Sequence, residues 1–238
     1  MIKYAVNPQG EQIEFHVKNH AYIFNGDRFK SVTTLIRKFF TPFDTEQISF
    51  FYAKKNGLDQ AQVKKEWANI GKEACEFGKR VHSHVECLFK KEQPQLPINQ
   101  KDETAFKYNE IYISKILNGY NFIEAEKIIF SKKFKLAGMV DIILECKKDG
   151  TIIIIDWKTT KLMEYNNSYG KYGYNGLEHL DDCNFNHYCL QLNIYKKILE
   201  EEQYYPNKNI RMGIVHVNDK IANHIRVPEL RKEIEIML

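Results

Sequence analysis

The chain has 238 residues, of which 43% are hydrophobic, 28% charged and 13% aromatic, with a formal net charge of +4 and a pI of about 8.6. This composition excludes a disordered or collagen-like chain and predicts one sizeable hydrophobic core. The mild positive charge is compatible with nucleic-acid binding but is too small to indicate it.

The cysteines and the distribution of apolar residues indicate in which cellular compartment the protein is expected. The five cysteines are odd in number, and no pair has the C-x-x-C spacing of a structural zinc site. We therefore expect reduced thiols in an intracellular compartment. No charged-then-apolar leader opens the sequence, and no apolar run approaches the length that spans a bilayer. These features predict a cytoplasmic protein that is neither secreted nor bound to a membrane.

The first 60 residues predict strands followed by a short helix. Residues 1–30 alternate apolar and polar side chains around a turn at Asn25-Gly26-Asp27, which is typical of a β-hairpin or loose strands. Ser31 to Phe40 has a helical pattern, with Ser31 as its N-cap and Pro42 beyond its end. We expect residues 1–60 to pack on the main core, residues 61–238, within one compact domain.

Two longer helices are predicted next. The strongest helical pattern lies between residues 61 and 90, where apolar side chains recur at spacings of three and four. These side chains are Trp67, Ile70, Ala74, Phe77, Val81, Val85 and Leu88. A loop over residues 91–101 follows, and a second helix runs from about Asp102 to Leu117, ending at Asn118-Gly119.

Strands dominate the next part of the chain. Strand-like runs cover Glu124 to Lys132, Phe134 to Lys147 and Thr151 to Lys158, with a hairpin signal at Asp149-Gly150. A polar loop over 161–186 precedes a helix from about Asn186 to Gln203, a strand from Arg211 to Val217 and a C-terminal helix after Pro228. This order predicts an α/β fold with a mixed central β-sheet flanked by helices.

The third of these strands ends in charged residues. Ile152 to Ile155 run directly into Asp156-Trp157-Lys158. A strand that is apolar on both faces is typical of a buried position, where charge is costly. Because side chains alternate along a strand, Asp156 and Lys158 are predicted to share one face. Taken alone, this tripeptide is more typical of a surface ion pair at the end of a strand.

A second carboxylate favours a functional interpretation. Asp141 ends the run from Leu136 to Val140, and adjacent strands can bring it beside Asp156 at one end of the sheet. Two carboxylates suit Mg²⁺ or Mn²⁺, and the Trp157 carbonyl is a candidate for a further ligand. Lys158 would then stand beside an attacking water and stabilise the charge that develops on a phosphodiester.

Two helical pairs offer further polar groups. His82 and Glu86 are four residues apart and therefore lie on one face of their helix, where an imidazole can bind a metal ion. Gln191 and Tyr195 form a similar pair on the late helix and could orient a phosphate or the lysine. The alternatives are an exposed or structurally satisfied histidine for the first pair and ordinary core packing for the second.

Together these residues resemble the RecB-type branch of the PD-(D/E)XK nucleases. The matching set is Gly78-x-x-x-His82-x-x-x-Glu86, Gly138-x-x-Asp141, Asp156-x-Lys158 and Gln191-x-x-x-Tyr195, in the family's order over roughly residues 67–217. Ser31-Val32-Thr33-Thr34 and His179-Leu180 are similar to one sub-branch, the mitochondrial genome maintenance exonuclease and its phage and viral relatives. The resemblance implies a restriction-endonuclease-like core.

The resemblance also implies an activity and roles for individual residues. It implies a DNA exonuclease that needs Mg²⁺ or Mn²⁺ and acts on single-stranded or free DNA ends, in the host cytoplasm if the protein is viral. A replication or recombination protein is a candidate partner. By position, the metal ligands would be His82, Asp141, Asp156 and the Trp157 carbonyl. Lys158 would be the catalytic lysine, acting with Asp141 and Asp156; Gln191 and Tyr195 would contact the substrate, and Glu86 would support the ligands from behind.

Two features that are absent from the sequence narrow the expected cofactors and activities. Some RecB-type relatives bind an iron–sulfur cluster through cysteines on both sides of the core, but no cysteine follows Cys189 here, so we expect no cluster. No G-x-x-x-x-G-K-[ST] motif is present, so any unwinding would need a partner. The remaining alternatives are a non-catalytic nucleic-acid-binding module on the same fold and an endonuclease of the same superfamily.

Overall fold

A computed structural model describes residues 1–218 and 221–238 of the chain. In these ranges the strands are β1 (Ile2–Val6), β2 (Gln12–His16), β3 (Ala21–Phe24), β4 (Asp27–Ser31), β5 (Tyr120–Ser131), β6 (Leu136–Cys146), β7 (Ile152–Lys158), β8 (Ile210–Val217) and β9 (Ala222–Arg226). The helices are α1 (Val32–Ile36), α2 (Thr45–Asn56), α3 (Gln60–Lys90), α4 (Gln100–Gly119), α5 (Asn184–Glu201) and α6 (Arg231–Met237).

The strands of the described residues form one mixed sheet. Its order is β1-β2-β3-β4-β6-β7-β8-β9, and β5 pairs with β6 outside this path. The β4–β6 and β7–β8 pairs are parallel, whereas the other pairs are antiparallel. Helices pack on both faces, with α5 on one face and α3 and α4 on the other. The predicted fold class, a mixed central sheet flanked by helices, is therefore confirmed.

The N-terminal residues form a four-stranded meander, which is more regular than the hairpin or loose strands predicted. Its last turn lies at Asn25-Gly26, where both residues have positive φ angles (50° and 86°), as a tight hairpin turn requires. The Ser31 hydroxyl caps α1 by accepting a hydrogen bond from the amide of Thr34 at 3.1 Å, as predicted. The helix is shorter than expected, because a 3₁₀ turn over Arg37–Phe39 replaces its last part.

Helix α3 matches its predicted range, but only part of its apolar pattern is buried. Phe77, Val81 and Val85 lie in the core, whereas Ile70 is 56% exposed. The first half of α3 packs against α2 through the Tyr52–Trp67 and Lys64–Glu46 contacts, which the sequence did not reveal. Helix α2 was not predicted from the sequence because its aromatic residues do not form one buried face. Phe50, Phe51 and Tyr52 are all exposed.

The two central strands β6 and β7 separate at the point where the charged residues begin. Their last regular pair joins Ile142 to Ile155, so the next positions in register are Asp141 and Asp156. Strand β7 continues beside β8 as far as Lys158. The fully buried Trp157 ring fixes this end of the strand, because its Nε1–H donates to Asn109 Oδ1 of α4 at 3.1 Å.

None of the helices in the described residues is both long and apolar enough to cross a bilayer.

Candidate active site

Asp156 and Lys158 lie on one face of β7, as the alternation of side chains predicted. The Lys158 ammonium is 2.8 Å from Asp156 Oδ2, and the two side chains are 19% and 3% exposed. The pair is therefore largely buried, unlike the surface ion pair that was the alternative. The ammonium also lies 4.5 Å from the centre of the Tyr188 ring, in the position of a cation–π contact.

Asp141 is held at the opening between β6 and β7. The backbone amide of Trp157 donates a 2.7 Å hydrogen bond to Asp141 Oδ2. This bond replaces the ladder pairing that ends at Ile142 and Ile155, and it sets the distance between the two strands. Asp141 and Asp156 are therefore neighbours across this opening, because their positions are opposite each other in the register of the two strands.

His82 reaches this opening from α3. Its Nε2 atom lies 2.9 Å from the Trp157 carbonyl oxygen, and because a carbonyl only accepts, Nε2 carries the proton. Its Nδ1 atom faces two carboxylates, at 3.6 Å from Asp141 and 3.8 Å from Glu126. The Trp157 carbonyl, proposed from the sequence as a metal ligand, thus already has a hydrogen-bond donor, and its role as a ligand stays a prediction.

Gln191 and Tyr195 project from α5 onto the other side of Asp156. The Gln191 amide donates to Asp156 Oδ1 at 3.2 Å and to the Tyr195 hydroxyl at 3.0 Å. All three groups are more than 90% buried. The Gln191–Tyr195 pair therefore does more than fill the core, because it connects α5 to the carboxylate of Asp156 at the end of β7.

The glycines of the sequence motifs mark close approaches. A Cβ atom on Gly138 would lie 2.3 Å from Tyr195 Cε1, so only glycine allows α5 to approach β6 this closely. A Cβ on Gly78 would lie 3.2 Å from Thr159 Oγ1, where α3 passes the end of β7. Gly138 therefore serves the packing of Tyr195 against β6.

Burial and mutual charge govern protonation in the site. Burial lowers the pKa of His82, but Asp141 and Glu126 outweigh it and raise the pKa to about 9. Burial raises the pKa of Asp156 to about 6, against the opposing effect of Lys158. The pKa of Lys158 is raised overall, because the attraction of Asp156 and Asp141 exceeds the effect of burial. Lys158 therefore stays protonated at neutral pH.

A cleft of about 790 Å³ opens above these residues. One wall is the N-terminal meander, which contributes Lys3, Lys18 and His20; the other is α3, which contributes Lys79. Ser31, Val32 and Thr33 also line it, whereas His179 of the second flanking motif instead contacts Glu233 at 2.8 Å. The cleft thus has cationic groups on both walls and the carboxylates at its base.

The structure differs from the sequence expectation at two acidic positions. Glu86 lines the cleft but forms an ion pair with Lys90 at 2.5 Å, so its proposed supporting role stays a prediction. Glu126 of β5 was not foreseen, although one oxygen of its carboxylate lies within 4.8 Å of the ligand atoms of both His82 and Asp141. Its strand was predicted, but nothing in the spacing of its residues distinguished this glutamate from its neighbours.

Comparison with known proteins gives one family. The model of the PD-(D/E)XK nuclease superfamily matches residues 47–235. Among solved structures, the chain is similar to SfsA of Pyrococcus furiosus in complex with Ca²⁺, with 19% identity and a TM-score of 0.21, over 52% of this chain and 61% of that one. No curated protein matches the sequence.

Proposed function

Because the chain belongs to the PD-(D/E)XK nuclease superfamily, we propose that it is a divalent-metal-dependent deoxyribonuclease that removes nucleotides from single-stranded DNA ends. Membership in this superfamily implies a nuclease, that is, a hydrolase that acts on nucleic acid and generally uses divalent metal ions. The DNA substrate, the requirement for Mg²⁺ or Mn²⁺ and the exonucleolytic mode are the proposal. The resemblance of the ordered motifs to RecB-type exonucleases supports it.

The arrangement of Asp141, Asp156 and Lys158 carries the proposal. Two carboxylates and an ammonium group meet at the base of one cleft, although burying such charges is costly. A purely structural strand end would be more stable with apolar residues in these positions. The presence of all three groups in one cleft therefore supports catalysis over the alternative of a binding module that has lost its activity.

The donor set fits a divalent cation. His82, Asp141 and Asp156 offer one imidazole and two carboxylates, and the Trp157 carbonyl offers a further oxygen. When bound, such an ion polarises the phosphodiester and lowers the pKa of a water molecule. Side chains of the protein itself supply the other two functions, which are stabilisation of negative charge and orientation of the substrate.

Lys158 is placed to stabilise negative charge at the reacting phosphate. Its ammonium stays protonated beside Asp156, and the Tyr188 ring and Asp156 hold it in position. Because the group is largely removed from water, its charge acts through a low local dielectric and is more effective than on the surface. Its role in this proposal is electrostatic, since a protonated ammonium cannot accept a proton.

Gln191 and Tyr195 are placed to orient Asp156 and the substrate. The Gln191 amide donates to both Asp156 and the Tyr195 hydroxyl, so the tyrosine oxygen acts as an acceptor there. Its own proton is then available for a phosphate oxygen in the cleft. Lys3, Lys18 and Lys79, which line the walls, can hold the phosphates further along the strand.

The experiment that tests this proposal compares DNA substrates that have free ends with substrates that have none. Labelled linear single strands, linear duplexes and covalently closed single-stranded circles are incubated with the protein and Mg²⁺ or Mn²⁺, with EDTA as the control. The proposal expects degradation of linear single strands, no cleavage of the circles and no reaction in EDTA. Cleavage of circles would establish the endonuclease instead, and binding without cleavage in either metal would establish the binding module.

A further inference from the structure

Glu126 lies in the same row of the sheet as the two catalytic aspartates, where a row is a set of residues opposite one another on neighbouring strands. On β5 it falls between the pairs Ala125–Ile142 and Lys127–Val140, so its position is opposite Asp141 of β6. Asp141 is in turn opposite Asp156 in the register of β6 and β7. Three carboxylates from neighbouring strands therefore occupy one row, an arrangement that mutual repulsion disfavours unless a positive charge accompanies them.

The backbone is distorted at this row. In regular strands Val140 and Ile142 would share a face, but Val140 packs in the core beside α5 and Ile142 in the core beside α3. Ile129 and Ala125 show the same change of face on β5. Glu126 itself has a φ of +51°, in the left-handed region that residues with a side chain rarely adopt. The distortion lets both Glu126 and Asp141 line the cleft.

The distances around His82 suit ligands that share an ion. Its Nδ1 atom is 3.6 Å from Asp141 and 3.8 Å from Glu126, which is too far for a hydrogen bond. Two ligand atoms that are each about 2.1 Å from one ion are separated by at most about 4.2 Å. Both separations from His82 fall within this limit, and the third separation, between the two carboxylate oxygens, is at most 4.8 Å, a bound slightly above it.

The imidazole is already oriented as metal-binding histidines are. Nε2–H donates to the Trp157 carbonyl, so the lone pair of the neutral ring is on Nδ1, which faces the two carboxylates. Histidines that bind metals almost always donate their other N–H to a carbonyl or carboxylate, which fixes the ring. A lone pair directed at two carboxylates is unfavourable unless a cation or a proton lies between them.

We propose that Glu126 is a ligand of the catalytic metal site and binds a divalent cation together with His82 and Asp141. The inference rests on the proposed nuclease function and adds a ligand that none of the sequence motifs contains. Because the set includes an imidazole, it favours a transition-metal ion such as Mn²⁺ over Mg²⁺. Asp156 joins this set from β7, where its carboxylate also contacts Lys158 and Gln191.

Binding of Mn²⁺ in the absence of DNA tests this inference. Free Mn²⁺ is counted by electron paramagnetic resonance during titration of the full chain, for the wild type and for Glu126→Gln. The substitution keeps the size of the side chain and removes its charge, and we expect Mn²⁺ affinity to fall by on the order of tenfold or more. Glu124→Gln is the matched control, because Glu124 is on the same strand and pairs with Lys127 at the surface.

A second variant guards against misfolding. Glu126→Asp keeps the charge but shortens the side chain, and we expect an Mn²⁺ affinity between those of the wild type and Glu126→Gln; circular dichroism in EDTA checks that each variant is folded. Mn²⁺ affinity of folded Glu126→Gln within twofold of the wild type would overturn the inference. A wild type that binds Mn²⁺ through Glu126 but cleaves no DNA would instead overturn the proposed function alone.

Discussion

The Tyr195 ring occupies the space into which any side chain at Gly138 would project, since a Cβ there would lie 2.3 Å from Tyr195 Cε1. This contact joins two of the sequence motifs, because Gly138 leads to Asp141 on β6 and Tyr195 reaches Asp156 through Gln191. The position of the late helix relative to the carboxylates therefore depends on the absence of a side chain at residue 138.

Gly138→Ala is expected to lower both stability and activity. The added methyl group must displace a buried ring, which costs about 1–3 kcal/mol in overpacked cores. Urea unfolding measures the cost, and cleavage of linear single-stranded DNA measures the effect on the site. Gly71→Ala is the control: nothing lies within 4 Å of its Cβ, and alanine in a helix is better by up to about 1 kcal/mol. A Gly138→Ala protein as stable as the wild type would contradict this account of the contact.

Lys158→Met is expected to destabilise the protein as well as inactivate it. Asp156 is buried, and removal of its cation leaves an uncompensated carboxylate, at a cost of about 3 kcal/mol. The double variant Lys158→Met/Asp156→Asn should recover most of that stability and none of the activity, because it removes the unpaired charge. Urea unfolding of the wild type and the three variants in EDTA at pH 8 measures the coupling. Additive effects of the two substitutions on stability would show that the pair does not interact.

The metal-free protein is expected to lose stability between pH 6.5 and 9 through His82. Its pKa is raised from 6.5 to about 9 in the folded state, after the carboxylates of Asp141 and Glu126 outweigh the effect of burial. The folded protein therefore binds this proton more tightly than the unfolded chain does. The resulting stabilisation is fully present below pH 6.5 and is lost as the pH rises through about 9.

The measurement is urea unfolding in EDTA at several pH values for the wild type, His82→Gln and the control His20→Gln. His20 lines the same cleft but is exposed. The stability of the wild type should fall more steeply over this range than that of His82→Gln, and His20→Gln should follow the wild type. Parallel curves for the wild type and His82→Gln would refute the raised pKa.

Tyr188 is expected to matter through its ring rather than its hydroxyl. The ring lies 4.5 Å from the Lys158 ammonium, and cation–π contacts contribute about 0.5–2 kcal/mol. Tyr188→Leu should therefore reduce the cleavage rate by about 2- to 30-fold, whereas Tyr188→Phe should retain it. Single-turnover kinetics at saturating metal distinguishes the two. Equal losses for both variants would indicate that the hydroxyl acts instead.

The sequence predicted most elements of the fold, although not α2 or β9, and which candidate site residues lie side by side, because the governing rules are local. The two-residue period of β7 predicted that Asp156 and Lys158 share a face, and the observed 2.8 Å contact agrees with it. The i, i+4 spacing likewise placed Gln191 and Tyr195 together, and they are hydrogen-bonded. Such relationships depend on periodicity and need no knowledge of distant parts of the chain.

Relationships between distant segments could not be predicted in this way. Glu126 reaches His82 and Asp141 only because its backbone adopts a positive φ, which the regular alternation of a strand does not foresee. The Tyr188 contact with Lys158 likewise depends on how α5 packs across β7. For Glu86, the helical spacing correctly placed it on the His82 side of α3, yet its carboxylate pairs with Lys90.

In the proposed function, Asp156 and Lys158 form the catalytic centre of a metal-dependent deoxyribonuclease. The most direct test of this assignment is single-turnover cleavage of end-labelled linear single-stranded DNA in Mn²⁺ by the wild type and by Asp156→Asn and Lys158→Met, with Glu124→Gln as the control. We expect cleavage by the wild type and the control, and a loss of on the order of 100-fold or more in the other two. Equal cleavage rates for all four folded proteins would contradict the assignment.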